Sequence, residues 1–350
     1  MKNVCLEDYK YISEDKNIPW EKLENATVLV TGATGLIGIS IIKALLFYEQ
    51  NNRIGLKIVG LVRNKEKALK IYEDFLKSDV KLDFIVGDIV TPFSYEDPID
   101  YIIHGASVTS SRMFVEKPVD TINTAIRGTT NILDFAREKQ IKGMTYLSSM
   151  EIYGMPETDE KITEDNYKYI NHMSARSSYP ESKRMAECIC KAYSVQYGLP
   201  VNVARLTQTF GPEVEYNDGR VFAEFARAVV EKRDIVLHTK GETKRCYLYT
   251  ADAVKAILTL LLKGTAGEAY NVANEDTYCS VYEMAKLAAD IDDTSSVNVK
   301  VILEDENKFG YAPTLKMNLD TNKINNLGFK AQVPLRDMFT RMIEYFEKED

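Results

Sequence analysis

The chain has 350 residues, of which 45% are hydrophobic and 27% charged, and its formal net charge is −8. This balance is that of a soluble globular protein, and at about 150 residues per domain the length suits one large domain or two lobes. An acidic chain without a basic tail is not expected to bind nucleic acid or an anionic membrane. No apolar run reaches the roughly 20 residues that span a bilayer, and the polar residues 1–10 do not resemble a signal peptide.

The cysteines and histidines predict neither a disulfide framework nor a metal site. Five cysteines is an odd number and no CxxC pair occurs, and a chain of this size needs no disulfides to hold its core. The three histidines, His104, His172 and His238, are scattered along the chain. We therefore expect free thiols, no metal and a cytoplasmic location.

The predicted elements alternate between strand and helix from residue 27 onward. Short β-branched apolar runs predict strands at 27–31, 57–62, 83–86, 101–104, 144–148 and 201–206. Helical patterns lie between them at 39–48, 65–77, 119–139 and 180–197. This alternation predicts an α/β fold with a doubly wound parallel sheet, which binds ligands at the carboxyl ends of its strands.

The regular alternation of predicted strands and helices ends after residue 206. Helices are predicted at 221–232, 251–263, from 280 and from about 334, and strands at 235–238, 247–249 and 269–272. Glu283 is expected to complete a capping box with Ser280. We divide the chain into an N-terminal arm (1–25), a first domain (26–206) and a smaller lobe (207–350) that is interleaved with the first domain.

A glycine-rich loop follows the first predicted strand and opens a helix. Gly32, Gly35 and Gly38 allow a tight turn and a close approach of the backbone to a pyrophosphate. The amino end of the helix then offers free N–H groups and a positive dipole to the phosphates. The loop predicts a dinucleotide site, with the cofactor-binding residues Gly32, Thr34, Gly35, Leu36, Ile37 and Gly38.

A second group of residues carries acid–base chemistry. Tyr179 and Lys183 lie four apart on a predicted helix and share one face. An ammonium beside the phenol is expected to lower the pKa of Tyr179 from about 10, which makes the tyrosine a usable acid and base. Ser149, just past a predicted strand, is expected to hold the substrate oxygen that Tyr179 deprotonates.

These motifs, in this order, resemble those of the extended short-chain dehydrogenase/reductases, the NAD(P)-dependent nucleotide-sugar epimerase/dehydratase family. The resemblance runs from about residue 27 to the end of the chain and is closest to the UDP-glucuronate decarboxylase and 4,6-dehydratase branches. It implies a Rossmann-type fold, NAD or NADP as cofactor, a nucleotide-diphosphate sugar as substrate, and a homodimer. It identifies Ser149, Tyr179 and Lys183 as the catalytic triad, with Tyr179 and Lys183 also at the cofactor.

The resemblance assigns further residues to the cofactor and the substrate. Asp88 and Ile89 match the segment that touches adenine, and Ala106 and Ser107 match the motif after the fourth strand. In the substrate lobe, residues 205–212 resemble the element R-x-x-N-x-Y-G-P, with Gln208 in place of asparagine and Phe210 in place of tyrosine. Arg245 matches the arginine of R-x-x-x-Y-x-x-D, which meets the nucleotide diphosphate, and a guanidinium suits bidentate contact with phosphate.

Arg63 stands after the second strand, where many dinucleotide-binding chains carry an acid for the ribose 2′-hydroxyl. Two interpretations stay open: Arg63 pairs with the 2′-phosphate of NADP, or it is a solvated residue at a strand end.

The reaction itself is left open. The resemblance implies a transient 4-keto sugar, and Glu151 matches a glutamate of the dehydratases and decarboxylases, where it is either a base or a loop carboxylate. Met150 stands where a dehydratase has an acid, and residues 310–314 lack the arginine that a decarboxylase usually has. We expect epimerase/dehydratase chemistry, with decarboxylation or NADPH-dependent reduction as alternatives and a non-catalytic NADP sensor as a different class.

Overall fold

A computed structural model of the chain describes residues 2–291, 296–303 and 314–347. Most of the stretch that we compared with the decarboxylase arginine segment, residues 310–313, lies outside the described residues. The helices are α1 (Asn3–Ser13), α2 (Leu36–Asn52), α3 (Lys65–Ile71), α4 (Glu73–Leu76), α5 (Ser111–Glu116), α6 (Pro118–Lys139), α7 (Ser178–Tyr197), α8 (Val221–Val230), α9 (Thr250–Lys263), α10 (Val281–Ala289), α11 (Asn322–Asn325) and α12 (Leu335–Phe346). The strands are β1 (Thr27–Thr31), β2 (Lys57–Val62), β3 (Lys81–Val86), β4 (Tyr101–His104), β5 (Gly143–Ser149), β6 (Val201–Leu206), β7 (Gln208–Phe210), β8 (Ile235–Leu237), β9 (Lys244–Tyr249), β10 (Ala269–Val272), β11 (Asn274–Ser280), β12 (Val299–Val301) and β13 (Lys316–Met317).

Seven parallel strands form the large sheet, in the order β10-β6-β5-β4-β1-β2-β3. Every residue of β1 and β4 is buried, because helices cover both faces of a parallel sheet and its strands are near-continuous apolar runs. The strand order reverses between β1 and β4, and the carboxyl ends of strands at such a switch point border the ligand crevice. The predicted α/β doubly wound fold is confirmed.

The second half of the chain builds a smaller sheet and also contributes to the large one. Strands β11, β9 and β13 pair in that order, and β7 pairs with β9. Strand β10, which falls within the region assigned to the smaller lobe, joins β6 at the edge of the large sheet. The capping box predicted for Ser280 and Glu283 is confirmed at the start of α10. The division at residue 206 stays a prediction.

The N-terminal arm contains a helix that the sequence analysis did not predict. Helix α1 buries Val4, Cys5, Tyr9 and Ile12, whose spacing places them on one helical face. Further along the arm, Trp20 stacks on Tyr48 of α2, with ring centroids 3.8 Å apart and an interplanar angle of 8°. The arm is therefore packed along the helix that follows the glycine loop. Among the described residues, no helix combines the length and apolarity that crossing a membrane requires.

Candidate active site

The glycine loop is shaped by two close backbone approaches. Gly32 has φ +73°, and a Cβ built there lies 2.8 Å from the carbonyl carbon of Gly105, so the loop and the end of β4 touch. A Cβ on Gly38 lies 2.2 Å from the Gly32 oxygen, so only glycine fits both positions. Within the described chain, no side chain caps the amino end of α2, where Leu36 and Ile37 begin the helix. The loop therefore leaves room and N–H groups for an anion.

The predicted residues after β4 lie against this loop. The Ala106 N–H donates to Thr31 Oγ1 at 3.1 Å, and Thr31 Oγ1 lies 2.7 Å from His104 Nδ1. Burial lowers the pKa of His104 to about 3, so the imidazole is neutral. Ser107 follows directly, and its hydroxyl donates to the Val108 carbonyl at 3.2 Å. Residues 104–107 are held at the carboxyl edge of β1 and β4 by these hydrogen bonds, of which the Thr31–His104 contact is buried.

The residues predicted for adenine and ribose contacts lie after β3 and β2. Ile89 is buried, and its carbonyl accepts from Asn131 Nδ2 of α6 at 2.8 Å. Asp88 Oδ1 accepts from the Val90 N–H at 3.1 Å, so its carboxylate already closes a local turn. Arg63 follows β2 directly and its side chain is exposed. These residues all follow strands of the half-sheet that begins at β1.

Ser149, Tyr179 and Lys183 are brought together at the carboxyl end of β5. Ser149 is the last residue of β5, and hydrogen bonding with Ser149 favours the ionised form of Tyr179. The Tyr179 ring stacks on Phe114 of α5, with centroids 4.2 Å apart and planes within 8°. Lys183 Nζ donates to the Leu147 carbonyl at 2.7 Å. Both Tyr179 and Lys183 are buried, so the protein interior holds the two side chains beside the end of β5.

The predicted effect of Lys183 on the phenol is wrong for the protein by itself. Lys183 Nζ lies 5.9 Å from the centre of the Tyr179 ring, and burial lowers the pKa of Lys183 to about 8. Burial, together with the nearby Glu151 carboxylate, raises the pKa of Tyr179 above its ordinary value, against the opposing effects of Ser149 and Arg176. Tyr179 therefore holds its proton at neutral pH, because desolvation of the phenolate outweighs the favourable charges.

Two residues that the sequence analysis gave no role, Phe114 and Arg176, complete the site. Arg176 pairs with Glu151, with Nη2 2.9 Å from Oε2, and its guanidinium lies 5.1 Å from the centre of the Phe114 ring. Each member of the pair is about 30% exposed. The position of Arg176, three residues before Tyr179, is a sequence feature that could have marked it. Phe114 has no such marker, because its contact with Tyr179 is long-range.

Arg245 and Gln208 meet on the smaller sheet. Arg245 of β9 points Nη1 toward Gln208 Oε1 of β7 at 3.4 Å, and its buried Nε has no hydrogen-bond partner among the described residues. A buried guanidinium N–H without an acceptor is costly, and a bound anion would satisfy it. Phe210, in contrast, is a core residue that stacks on Phe222, with centroids 4.7 Å apart. Of the element at 205–212, Gln208 is the residue that faces Arg245.

The catalytic segment and the Arg245 segment are joined through Thr207. The Thr207 hydroxyl donates to the Cys246 carbonyl and lies 3.3 Å from Met150 Sδ. Met150 is itself buried, so the residue between Ser149 and Glu151 packs inward and does not line the site. These contacts hold the β5 end and the β9 strand beside each other.

Arg205 stabilises the site through hydrogen bonds inside the protein. Arg205 Nε donates to both carboxylate oxygens of Glu187 on α7, and Nη2 donates to Oε2. Arg205 also donates to Tyr153 Oη at 2.9 Å, to Tyr167 Oη at 2.6 Å and to the Glu164 carbonyl. Its guanidinium is therefore fully engaged with the protein. It anchors α7, the helix that carries Tyr179 and Lys183.

A comparison with protein families decides the relationship. Residues 28–273 match the model of the NAD dependent epimerase/dehydratase family. The chain belongs to this family. The match begins at β1 and ends just after β10, so helix α1 of the arm lies outside it.

Relatives within the family carry several activities. UDP-glucuronic acid decarboxylase 1 of Xenopus tropicalis is 28% identical over 323 residues, which cover 92% of this chain and 72% of the relative. Human dTDP-D-glucose 4,6-dehydratase is 29% identical over 338 residues, with 92% and 90% covered. The fold matches UDP-glucose 4-epimerase of Thermotoga maritima, with a TM-score of 0.76, 21% identity, and 91% and 98% covered. It also matches an NAD-bound dTDP-glucose 4,6-dehydratase of Streptomyces venezuelae, with a TM-score of 0.73, 22% identity, and 91% and 96% covered.

The epimerase/dehydratase loop offers a clean test at Gly35. Its backbone has φ −95°, and a Cβ there lies 3.4 Å from the Gly32 oxygen, so a side chain fits without strain. We expect Gly35→Asp to fold normally and to weaken NAD(P) binding about 100-fold or more, because like charges brought together cost several kcal/mol. Calorimetric titration measures the affinity, and Gly35→Asn, of equal size but neutral, should lose much less. Unchanged cofactor binding in Gly35→Asp would show that the loop is not part of the cofactor site.

Proposed function

We propose that the protein is an NAD(P)-dependent enzyme that modifies a nucleotide-diphosphate sugar through a 4-keto intermediate. The observation that carries this proposal is the convergence of Ser149, Tyr179 and Lys183 at the carboxyl end of β5. The glycine loop at the end of the neighbouring half-sheet and Arg245 Nε, which has no hydrogen-bond partner in the described part of the chain, support a site with a cofactor on one side and a diphosphate on the other.

The geometry suits a dinucleotide cofactor, which supplies a hydride acceptor at the sugar when bound. The Gly32–Gly38 turn and the uncapped amino end of α2 would hold its pyrophosphate. Ser149 would orient the C4 hydroxyl, and Tyr179 would accept its proton. Because burial and Glu151 raise the pKa of Tyr179 in the free protein, the phenol must first release its own proton to become the accepting phenolate. The proton that the phenolate then takes from C4 is the one it returns when the ketone is reduced.

Decarboxylation of a nucleotide-linked uronate is the second candidate, and one observation favours it. Removal of the C6 hydroxyl by a dehydratase requires a proton donor beside the glutamate, and here that position is the buried Met150. A 4-keto uronate loses CO2 without such a donor. Arg176, which is about 30% exposed and pairs with Glu151, places a cation at the same edge of the site, where it could also contact a substrate carboxylate.

The choice of cofactor is proposed to depend on Arg63. An exposed arginine after β2 is free to pair with a 2′-phosphate, and a hydrogen bond to a charged group contributes about 1.5–3 kcal/mol, a factor of roughly 10 to 100 in affinity. We expect Arg63→Ala to weaken NADP+ by that factor and to leave NAD+ nearly unchanged, as measured by calorimetry. Lys65→Ala, an exposed cation two residues away, is the control. A wild type that prefers NAD+, or equal losses for both cofactors, would make Arg63 an ordinary surface residue.

Arg245 is proposed to bind the diphosphate and not the reacting sugar. We expect Arg245→Ala to raise KM by about 10- to 100-fold with a smaller effect on kcat, the pattern of lost uniform binding. Lys244→Ala changes the neighbouring cation, which pairs with Asp159 at the surface, and should leave KM unchanged. A kcat defect with unaltered KM would assign Arg245 to the chemical step.

We also propose a cytoplasmic homodimer. Helices α6 and α7 expose apolar side chains at helical spacing: Val119 (66% exposed) and Ile122 on α6, and Met185 (53%), Cys188 and Val195 (74%) on α7. A stripe of this kind across two neighbouring helices is typical of a protein interface, and a second copy of the chain would cover it with the same stripe. Sedimentation velocity should give twice the chain mass, and a monomer at micromolar concentration would contradict the proposal.

The proposed activity is tested with a panel of UDP-, dTDP-, GDP- and CDP-sugars, with products identified by mass. An epimerase leaves the mass unchanged, a dehydratase removes water and a decarboxylase releases CO2. A nucleotide sugar that raises the melting temperature beyond the effect of the cofactor alone also identifies the ligand class. No turnover and no such stabilisation with any sugar would favour a non-catalytic NADP sensor.

A further inference from the structure

Glu213 occupies an unusual place in the fold. It follows the Gly211–Pro212 turn at the end of β7, the strand that carries Gln208, and its backbone has φ +73°. This left-handed conformation is unfavourable for a residue with a side chain. Such strain persists where the surrounding structure over-determines it, so the contacts of Glu213 explain why it is held there.

The Glu213 carboxylate is held by two different helices. Its side chain is 7% exposed. Tyr9 Oη of α1 donates to Oε1 at 3.0 Å, Ser40 Oγ of α2 lies 3.1 Å from Oε2, and the Lys43 ammonium of α2 binds Oε1. The carboxylate thus ties the end of the substrate strand β7 to the helix that begins at the cofactor loop, with α1 as a third anchor.

The junction is closed and leaves no room for a ligand of its own. The cavity beside it measures about 10 Å³ and is lined by Cys5, Asp8, Ser40, Pro212 and Glu213 among others, which is space for about one water. Removing one partner of a buried ion pair strongly destabilises a protein, because the other charge is left buried without compensation. Glu213 is therefore a rigid connection between α2 and the end of β7.

Helix α1 is fastened to the other substrate element as well. Tyr249 Oη donates to Asp8 Oδ2 at 2.6 Å, and Tyr11 Oη donates to Asp252 Oδ1 at 2.8 Å. Tyr249 ends β9, the strand that carries Arg245. Hence α1 contacts the cofactor helix, the end of the Gln208 strand and the end of the Arg245 strand together.

We propose that Glu213 is a positioning residue that couples the two halves of the site, so that binding of the nucleotide diphosphate strengthens binding of the cofactor. This inference rests on the proposed function, because it needs both ligands. A diphosphate bound by Arg245 and Gln208 restricts the motion of β7 and β9. Because Glu213 connects the end of β7 to α2, the motion of α2 is restricted as well. The coupling is reciprocal, as linkage requires.

The experiment measures this coupling by calorimetry on the full chain. The Kd of NAD+ is determined with and without saturating UDP, and the Kd of UDP with and without saturating NAD+. We expect each ligand to bind at least about 5-fold more tightly in the presence of the other. Glu213→Gly relieves the left-handed strain and removes the connection, so the ratio should fall to about 1 while each ligand still binds alone. Glu213→Gln, which keeps the shape and loses the charge, serves if the glycine variant does not fold.

A matched control lies on the same arm. Tyr11→Phe removes a phenol–carboxylate hydrogen bond from α1, as Tyr9→Phe does, but the partners of Tyr11 are Asp252 and Gln332 and not Glu213. Tyr9→Phe should reduce the coupling ratio and Tyr11→Phe should keep it, at similar losses of melting temperature. Wild-type coupling retained in the Glu213 variants, or a ratio of 1 in the wild type, would overturn the coupling alone. If the wild type binds dTDP, GDP or CDP and not UDP, that nucleotide takes the place of UDP in the same titrations. Failure of the wild type to bind any of the four would overturn the proposed function and the coupling with it.

Discussion

We expect Tyr179→Phe to lower turnover by about 10²- to 10⁴-fold, the usual contribution of a general acid or base. The variant keeps the ring that stacks on Phe114, so the packing of the site and the binding of the nucleotide sugar should be nearly intact. It loses the oxygen that hydrogen bonds with Ser149 and that, as a phenolate, is proposed to accept the C4 proton. Mixing the wild type with its substrate should give a transient absorbance of reduced nicotinamide, and the variant should give none.

Tyr193→Phe is the control for that experiment. Tyr193 lies on the same helix, and its hydroxyl donates to Asp134 at 2.7 Å, far along α7 from the end of β5. Its loss should change neither turnover nor the absorbance transient. If Tyr179→Phe reduces the cofactor at the wild-type rate, the proposed proton transfer is wrong and another group removes the C4 proton.

We expect Lys183→Met to lower turnover by at least about 100-fold and, unusually for an active-site change, to raise the melting temperature of the cofactor-free protein at pH 7. Burial lowers the pKa of Lys183 from 10.5 to about 8. The folded state therefore binds this proton less tightly than the unfolded state does, a penalty on the order of 3 kcal/mol that is fully present below pH 8. Methionine fills a similar volume without that penalty.

The contribution of Lys183 to the stability of the fold depends on pH, and the lowered pKa determines the direction of that dependence. Between pH 8 and 10.5 the unfolded chain holds more protons on this lysine than the folded chain, so its contribution to stability rises with pH. The advantage of Lys183→Met should therefore shrink across this range, as followed by thermal melts at several pH values. Lys22→Met removes an exposed lysine that also donates to a carbonyl, that of Leu262 at 2.7 Å, and should change stability by less than about 0.5 kcal/mol at every pH. A Lys183→Met variant that melts below the wild type at pH 7 would show that the bond to Leu147 outweighs the burial penalty.

The features that could be predicted from the sequence are those governed by local backbone rules. The glycine loop after β1 could be predicted because the close backbone contacts at Gly32 and Gly38 leave room only for glycine. The capping box could be predicted because Ser280 and Glu283 have the spacing that it requires. The parallel sheet follows from buried apolar runs such as Thr27–Thr31. Each of these features depends only on residues that are close together in the chain, so each can be predicted from a single sequence.

The features that escaped prediction depend on contacts between distant segments. The pKa of the Tyr179 phenol is set first by burial and then by the nearby Glu151. The stack with Phe114 and the pair of Glu151 with Arg176 join segments that are distant in the chain. The prediction for the pKa of Tyr179 was wrong for this reason, because it counted one lysine and not the burial. Helix α1 was missed because its buried face includes Asp8 and Tyr9, polar groups whose partners lie more than 200 residues away in the chain.

The stack of Trp20 on Tyr48 makes the N-terminal arm optically visible. Trp20 is the only tryptophan of the chain, is 8% exposed, and stacks on Tyr48 in the C-terminal half of α2, away from the glycine loop. Its emission therefore reports whether the arm is docked, whereas circular dichroism reports the helices and sheets as a whole. Comparing the two signals during a melt shows whether the arm leaves before the seven-stranded sheet does, without a label and without any ligand.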